Sequence, residues 1–276
     1  MKTLRYVLLL ALWAGVAEAA PADAPAPAAA AETTATASPA PAPDAEQEVV
    51  ARLRTSAVAD EIQELSVDGK PVLALWRNET LGRPQGAVLL LHDTGAHADW
   101  PGVIGPLRRE LPEHGWHTLA LQLPAPDAAD AAQQTTARLR AALAFLAGKN
   151  IRNIILLGHG TGALTALRHG ANSKGTVNGL ILVALGEMDD AALLDRAAIP
   201  IYDIYGSADA LEVRTAGAQR LTEGRRLVRK DGDELPRYRQ FVVLAADHFF
   251  SAQTEILLRR VQGWLRTHAE GMEISE

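Results

Sequence analysis

From Glu61 onward, short runs rich in Leu, Val and Ile alternate with longer stretches whose apolar residues recur at helical spacing. That alternation predicts a mostly parallel sheet with helices on both faces, an α/β architecture. Ile62 to Val67 and Pro71 to Arg77 are joined by Asp68-Gly69 and read as an antiparallel hairpin, because Asp-Gly between apolar runs is a strong turn signal. Gly86 to His92 is too continuously apolar for a half-exposed strand, so it should be central. Further strands are expected over 116–122, 151–157, 177–184, 199–205 and 238–244. Helices are expected over 101–114, with proline in the first turn and Gly115 at the end, and over 127–147, 161–169, 189–196, 210–222 and 251–268. The pattern therefore predicts eight strands and six helices in one domain over 46–276.

Composition narrows the picture mainly by exclusion. With 276 residues, 48% of them apolar, the chain can fill one sizeable core. A formal net charge of −6 provides no broad basic surface, so neither nucleic acid nor anionic lipid is indicated as a partner. The basic cluster Arg225, Arg226, Arg229 and Lys230 reads as a solvated helix face. The absence of cysteine removes disulfides, thiolate metal sites, thiol catalysis and a lipid-attachment cysteine together.

The N-terminus adds a destination. Two positive charges, Lys2 and Arg5, precede the apolar run Tyr6 to Val16, and Ala17-Glu18-Ala19 offers small residues at the positions a signal peptidase reads. The run falls well short of the roughly 20 residues needed to span a bilayer. A cleaved signal peptide over 1–19 and a periplasmic or secreted protein without a transmembrane anchor are expected. Residues 20–45 are almost entirely Ala, Pro, Thr and Asp, the composition of a disordered tether.

In such a sheet the ligand site lies beyond the carboxyl ends of the strands. Four of the loops leaving those ends carry reactive residue types: His92-Asp93-Thr94 running on to His97 and Asp99, Gly158-His159-Gly160-Thr161-Gly162, Gly206-Ser207-Ala208-Asp209, and Ala246-Asp247-His248-Phe249. Strand, Gly-x-x-x-Gly, helix is similar to the nucleophile elbow of the α/β-hydrolase superfamily. The chain as a whole resembles that superfamily over about 61–268, and within it a bacterial group of exported α/β-hydrolase-like proteins of unassigned activity. The resemblance places Gly160 at the position of the nucleophilic serine, Asp209 at that of the triad acid and His248 at that of the triad base, in the superfamily's chain order. Asp209 has a second reading as a cap of the helix that follows, and both roles can hold at once.

This assignment leaves the constellation without its hydroxyl, since glycine cannot form an acyl-enzyme. Thr161 should begin the helix and point away; Ser207 and Thr94 lack elbow geometry. The His-Gly usual after the first central strand reads His92-Asp93 here, so a carboxylate stands near the expected oxyanion site unless it turns outward. His92, Asp93, His97 and Asp99 have donor types suited to a metal, but their spacing fits no helix-borne motif, and a structural histidine with a solvated loop is the favoured reading. No nucleotide-binding glycine motif is present, so no cofactor is expected. The connection from Ala184 to Ile199 is too short for a lid domain.

Three functions follow from these residues. The first is a pseudohydrolase binding a small carboxylate, ester or peptide-like ligand with His92, Asp93, Thr94, His159 and Thr161 around Asp209 and His248. The second is a weak hydrolase in which His248 activates water. The third is a non-catalytic interaction module of the cell envelope. A serine introduced at Gly160 is expected to be structurally tolerated.

Overall fold

β3 (Gly86–Leu91) is buried at every position, as is β5 (Ile154–His159) beside it. Strands covered on both faces need apolar side chains at consecutive positions rather than alternate ones. Val88 and Leu90 of β3 with Ile155 and Leu157 of β5 pack into one core, and Ala87, Leu89, Ile154 and Leu156 into the core on the opposite face.

The computed structural model describes residues 45–56, 58–227 and 237–269. The expected signal peptide, the tether up to its last residue, and Arg229 and Lys230 lie outside them. Around the central pair the sheet is completed by β1 (Ile62–Val67), β2 (Lys70–Arg77), β4 (Trp116–Leu121), β6 (Gly179–Val183), β7 (Ile201–Gly206) and β8 (Tyr238–Val243). The order is β1-β2-β4-β3-β5-β6-β7-β8. β2 runs antiparallel to β1 and to β4, and the other neighbours are parallel.

Seven α-helices appear among the described residues: α1 (Ala45–Arg54), α2 (Ile104–Glu110), α3 (Ala131–Gly148), α4 (Thr161–Asn172), α5 (Leu193–Ala197), α6 (Leu211–Gly224) and α7 (Thr254–His268). α3, α4 and α5 bury Leu139, Leu146, Ala163, Leu167 and Leu193 on one face of the sheet; α2, α6 and α7 bury Leu107, Val213, Leu257 and Val261 on the other. None of these helices is long and apolar enough to cross a membrane.

Several expected boundaries are corrected. α2 begins at Ile104 rather than Pro101 because Pro106, lacking an N–H, is accommodated only in a first turn. Pro112 ends its α-helical ladder, and the chain finishes in a 3-10 turn, Leu111–His114, against Gly115 at φ +83°. The helix expected over 127–147 starts only at Ala131, that over 189–196 contracts to α5, that over 251–268 starts at Thr254, and the strand expected from Ile151 starts at Ile154. α1 was not among the predicted helices. It is fastened by Glu46, whose carboxylate binds the Arg138 guanidinium of α3 through both oxygens.

Candidate functional site

The register of the parallel strands sets the site. Leu91 pairs with Gly158, His159 with Val183, and Gly206 with Val243, so the chain leaves β3, β5, β7 and β8 at one level of the sheet. The elbow after β5 is tight: a Cβ on Gly158 would lie 2.2 Å from the Gly162 carbonyl oxygen, and one on Gly162 would lie 2.4 Å from that of Leu91. Only glycine fits at either place. Between them Gly160 adopts φ +53° and ψ −116°, the strained turn that presents a side chain in related folds, and α4 starts at the next residue.

The place of the missing side chain is taken by Asp93. A Cβ built on Gly160 would meet Asp93 Cγ at 2.2 Å, Oδ1 at 2.3 Å and Oδ2 at 2.4 Å. The carboxylate has turned inward and bridges the elbow. Its Oδ1 accepts hydrogen bonds from the backbone N–H of Thr94 at 2.7 Å, the backbone N–H of Thr161 at 2.8 Å and Thr161 Oγ1 at 2.9 Å. Those two N–H groups, one following the elbow and one from the first loop, are the pair that forms the oxyanion hole of α/β-hydrolases. Oδ1 lies at the N-terminus of α4, whose dipole favours negative charge. Thr161 was expected to point away from the site. Its hydroxyl instead joins Asp93 and Thr94, because Asp93 Oδ1 and the Thr94 N–H and hydroxyl all come within 2.9 Å of it across the two loops.

Asp93 Oδ2 lies 3.0 Å from His248 Nε2, and Asp209 Oδ1 lies 2.9 Å from His248 Nδ1. The structure thus brings Asp209, His248 and Gly160 together, with an imidazole between two carboxylates. Asp209 Oδ1 also accepts the N–H of Ala210, one residue before α6, so the turn-forming contact coexists with the His248 contact. The hydrogen bond to Asp209 and then that to Asp93 raise the His248 pKa to about 9 against its burial. For Asp93, burial opposes ionisation but is outweighed by His248 and the Thr161 donors, which hold the carboxyl well below its usual range. At neutral pH His248 is an imidazolium facing an ionised Asp93.

The other histidines are structural supports. His92 is buried; its Nδ1–H donates to the Asp93 carbonyl at 2.7 Å while Nε2 accepts the Leu123 N–H at 2.9 Å. Burial lowers its pKa to about 4, so it is neutral and fixes the loop backbone that aims Asp93. His159 is fully buried, and its Nε2 contacts the His248 carbonyl at 3.0 Å; burial, then the charge of His248, lower its pKa to about 4. The first-loop metal alternative disperses, because Asp99 accepts from Arg108 and Arg109 and His97 packs edge-on to Trp100. Asp93, His159 and His248 do offer three donor atoms within 4.8 Å. Two of these donors, Asp93 Oδ2 and His248 Nε2, are hydrogen-bonded to each other at 3.0 Å. Ser207 Oγ accepts the Ala245 N–H at 2.8 Å and is committed to the loop after β8.

A cleft of about 240 Å³ opens beside Asp93 and is lined by Thr94, Thr161 and Thr165 on one side and by Glu46 and Val49 of α1 and the 122–126 loop on the other. Sequence reasoning missed α1 as a wall of this cleft. The only signal for it was Glu46, Val49 and Leu53 at helical spacing just after the Ala/Pro segment.

Solved structures share this arrangement of strands and helices. Est1E from Butyrivibrio proteoclasticus is 13% identical, with 75% of this chain and 98% of that chain covered and a TM-score of 0.61. A dienelactone hydrolase from Anabaena variabilis is 18% identical over 76% and 100% of the two chains, also at 0.61. An α/β serine hydrolase homologue from Coxiella burnetii is 18% identical over 73% and 97%, at 0.59. These likenesses show the fold. No curated protein sequence matches the chain. A family model described as a protein of unknown function, DUF3530, matches residues 2–136 and 126–267. The chain therefore belongs to the DUF3530 family, here carried on the α/β-hydrolase fold.

Proposed function

We propose that this protein is an exported, periplasmic or secreted member of the hydrolase fold that performs no serine-type acyl transfer and binds a small neutral ester- or peptide-like ligand in the cleft beside Asp93. The observation that supports this reading is the Asp93 carboxylate, which fills both the nucleophile's place and the oxyanion hole. A carbonyl substrate entering the site finds no hydroxyl to attack it and no free donors for its oxygen. A carboxylate ligand, the other class the sequence allowed, would have to approach the negative charge of Asp93. A neutral carbonyl compound meets the threonine hydroxyls and the apolar part of the cleft wall without that repulsion.

Water activation by His248 is disfavoured by the same geometry. With a pKa near 9 and both ring nitrogens facing carboxylates, His248 carries its proton at neutral pH and has no lone pair to offer. The test combines reactivity and binding. The purified protein should leave p-nitrophenyl acetate at its buffer rate and escape labelling by a fluorophosphonate, while N-acetyl amino-acid amides or esters shift the amide resonances of Thr94, Thr161 and Thr165. Stoichiometric labelling of Ser207 or Thr161, or ligands that shift only residues away from the cleft, would overturn the reading.

A further inference from the structure

We propose that a second site, between β8 and α7, binds a small phosphomonoester, with its phosphate among Arg239, Arg259 and Arg260 and its neutral portion across Gly263. The site is separate from the cleft beside Asp93 and stands independently of that reading.

β8 is an edge strand. Arg239 and Phe241 of β8 pair with Tyr202 and Ile204 of β7, so these four residues share one face of the sheet. Tyr202 is the second residue of β7, which places the site toward the amino ends of the strands, away from the loops that carry Asp93 and His248. A cavity of about 350 Å³ opens there between Tyr202, Arg239 and Phe241 of the sheet and Arg259, Arg260 and Trp264 of α7. Its lining holds three arginines and no Asp or Glu, on a chain whose formal net charge is −6. None of the three arginines forms an ion pair with a described carboxylate. Arg259 Nε donates to the Glu255 carbonyl of its own helix, and the Arg260 guanidinium lies 3.7 Å from the centre of the Phe241 ring. That stacking holds one planar fork in place, and guanidinium forks match the oxygens of a phosphate.

Two further lining residues have unused donors. Tyr202 is 7% exposed, yet its hydroxyl has no hydrogen-bond partner among the described residues, and the charges of Arg260 and Arg239 act on it. Trp264, stacked on Tyr202 with ring centroids 5.9 Å apart, leaves its buried Nε1–H without an acceptor. Buried donors are rarely left unpaired. An oxyanion in the cavity supplies acceptors that the protein itself does not.

Gly263 gives the site its extent. Glycine weakens a helix interior relative to alanine, and packing does not require it here, because a Cβ on Gly263 would meet nothing within 4 Å. The space it leaves joins two cavities: Gly263 and Arg259 line both the first and a second of about 400 Å³, which also holds Glu113, His114 and Arg266. The Glu113 carboxylate repels an anion and accepts from hydroxyl groups. The phosphate is therefore assigned to the first cavity and a hydroxyl-bearing portion to the second. Three arginines around one pocket hold a single phosphate, which is compatible with the lack of a broad basic surface.

Glycerol 3-phosphate is the probe. Calorimetric titration of the purified protein should saturate at one site with a Kd at or below about 1 mM, and the amide resonances of Arg239 and Gly263 should shift while those of Thr94 and Thr161 stay. Arg239→Gln and Arg260→Gln, both at exposed positions, should each weaken binding at least about tenfold. Gly263→Leu raises helix propensity and should keep the affinity for inorganic phosphate while weakening glycerol 3-phosphate. Vesicles containing phosphatidic acid present the same group on a lipid. Co-sedimentation that Arg260→Gln abolishes would make the source a headgroup, and binding of the soluble ester alone would make it a free metabolite. No saturable binding of either, binding that both arginine variants retain, or an unchanged affinity for glycerol 3-phosphate in Gly263→Leu overturns the proposal.

Discussion

At the scale of single residues, the site is organised by where Asp93 points. The His92-Asp93 departure was legible in the sequence as a carboxylate near the oxyanion position, but its rotamer was not, because the donors that draw it inward come from Thr161, a residue 68 positions away. The same donors explain why Thr161 could not be oriented from local helix geometry alone. The ion pair has a pH signature. The folded pKa of His248 lies near 9, above the ordinary 6.5, so its stabilising contribution is fully present below 6.5 and is lost as pH rises through about 9. A shift of that size corresponds to roughly 3–4 kcal/mol. The thermal midpoint should therefore fall between pH 6.5 and 9.5, and Asp93→Asn should flatten that fall by removing one of the two partners. An unchanged alkaline slope in the variant would mean that Asp93 does not hold the His248 proton.

At the scale of elements, the sheet was legible because buried parallel strands are continuous apolar runs and the hairpin carries its Asp-Gly turn. Helix ends were less so: Pro106 and Pro112 each move or break a boundary, and their effect depends on which turn they occupy. α1 was missed because it is short, largely charged and polar and follows directly on the Ala/Pro segment, and its anchoring by Arg138 is tertiary. β7 and α6 show a second feature invisible to periodicity. Asp203 of β7, fully buried, accepts from Arg220 of α6 at 2.8 Å, from the Tyr238 hydroxyl at 2.6 Å and from Gln240 at 2.9 Å. Arg220→Met would retain volume but leave Asp203 without its cation, and removing one partner of a buried pair costs about 3–5 kcal/mol. Chemical denaturation should show a loss of that order; a change under about 1 kcal/mol would mean that Tyr238 and Gln240 suffice to hold the charge.

At the scale of the whole molecule, eight strands place four loops at one end of the sheet and bring Asp209, His248 and the backbone N–H groups of Thr94 and Thr161 around the Asp93 carboxylate. What distinguishes this chain is that carboxylate. A serine at Gly160 was expected to be tolerated, but its Cβ would overlap the Asp93 carboxylate at 2.2 to 2.4 Å, so the substitution must first displace Asp93. The most direct test compares Gly160→Ser with Gly160→Ser combined with Asp93→Gly, measured as hydrolysis of p-nitrophenyl acetate. Nucleophile loss in a triad costs about 10⁶ in rate, which leaves a wide range for recovery. With Asp93 in place, the single variant should remain near the buffer rate. With the hole emptied, the serine hydroxyl beside His248 and Asp209 should raise the rate by at least about 10²-fold. A single variant as active as the double, or a folded double variant with no gain, would contradict the claim that Asp93 occupies and silences the hydrolase site.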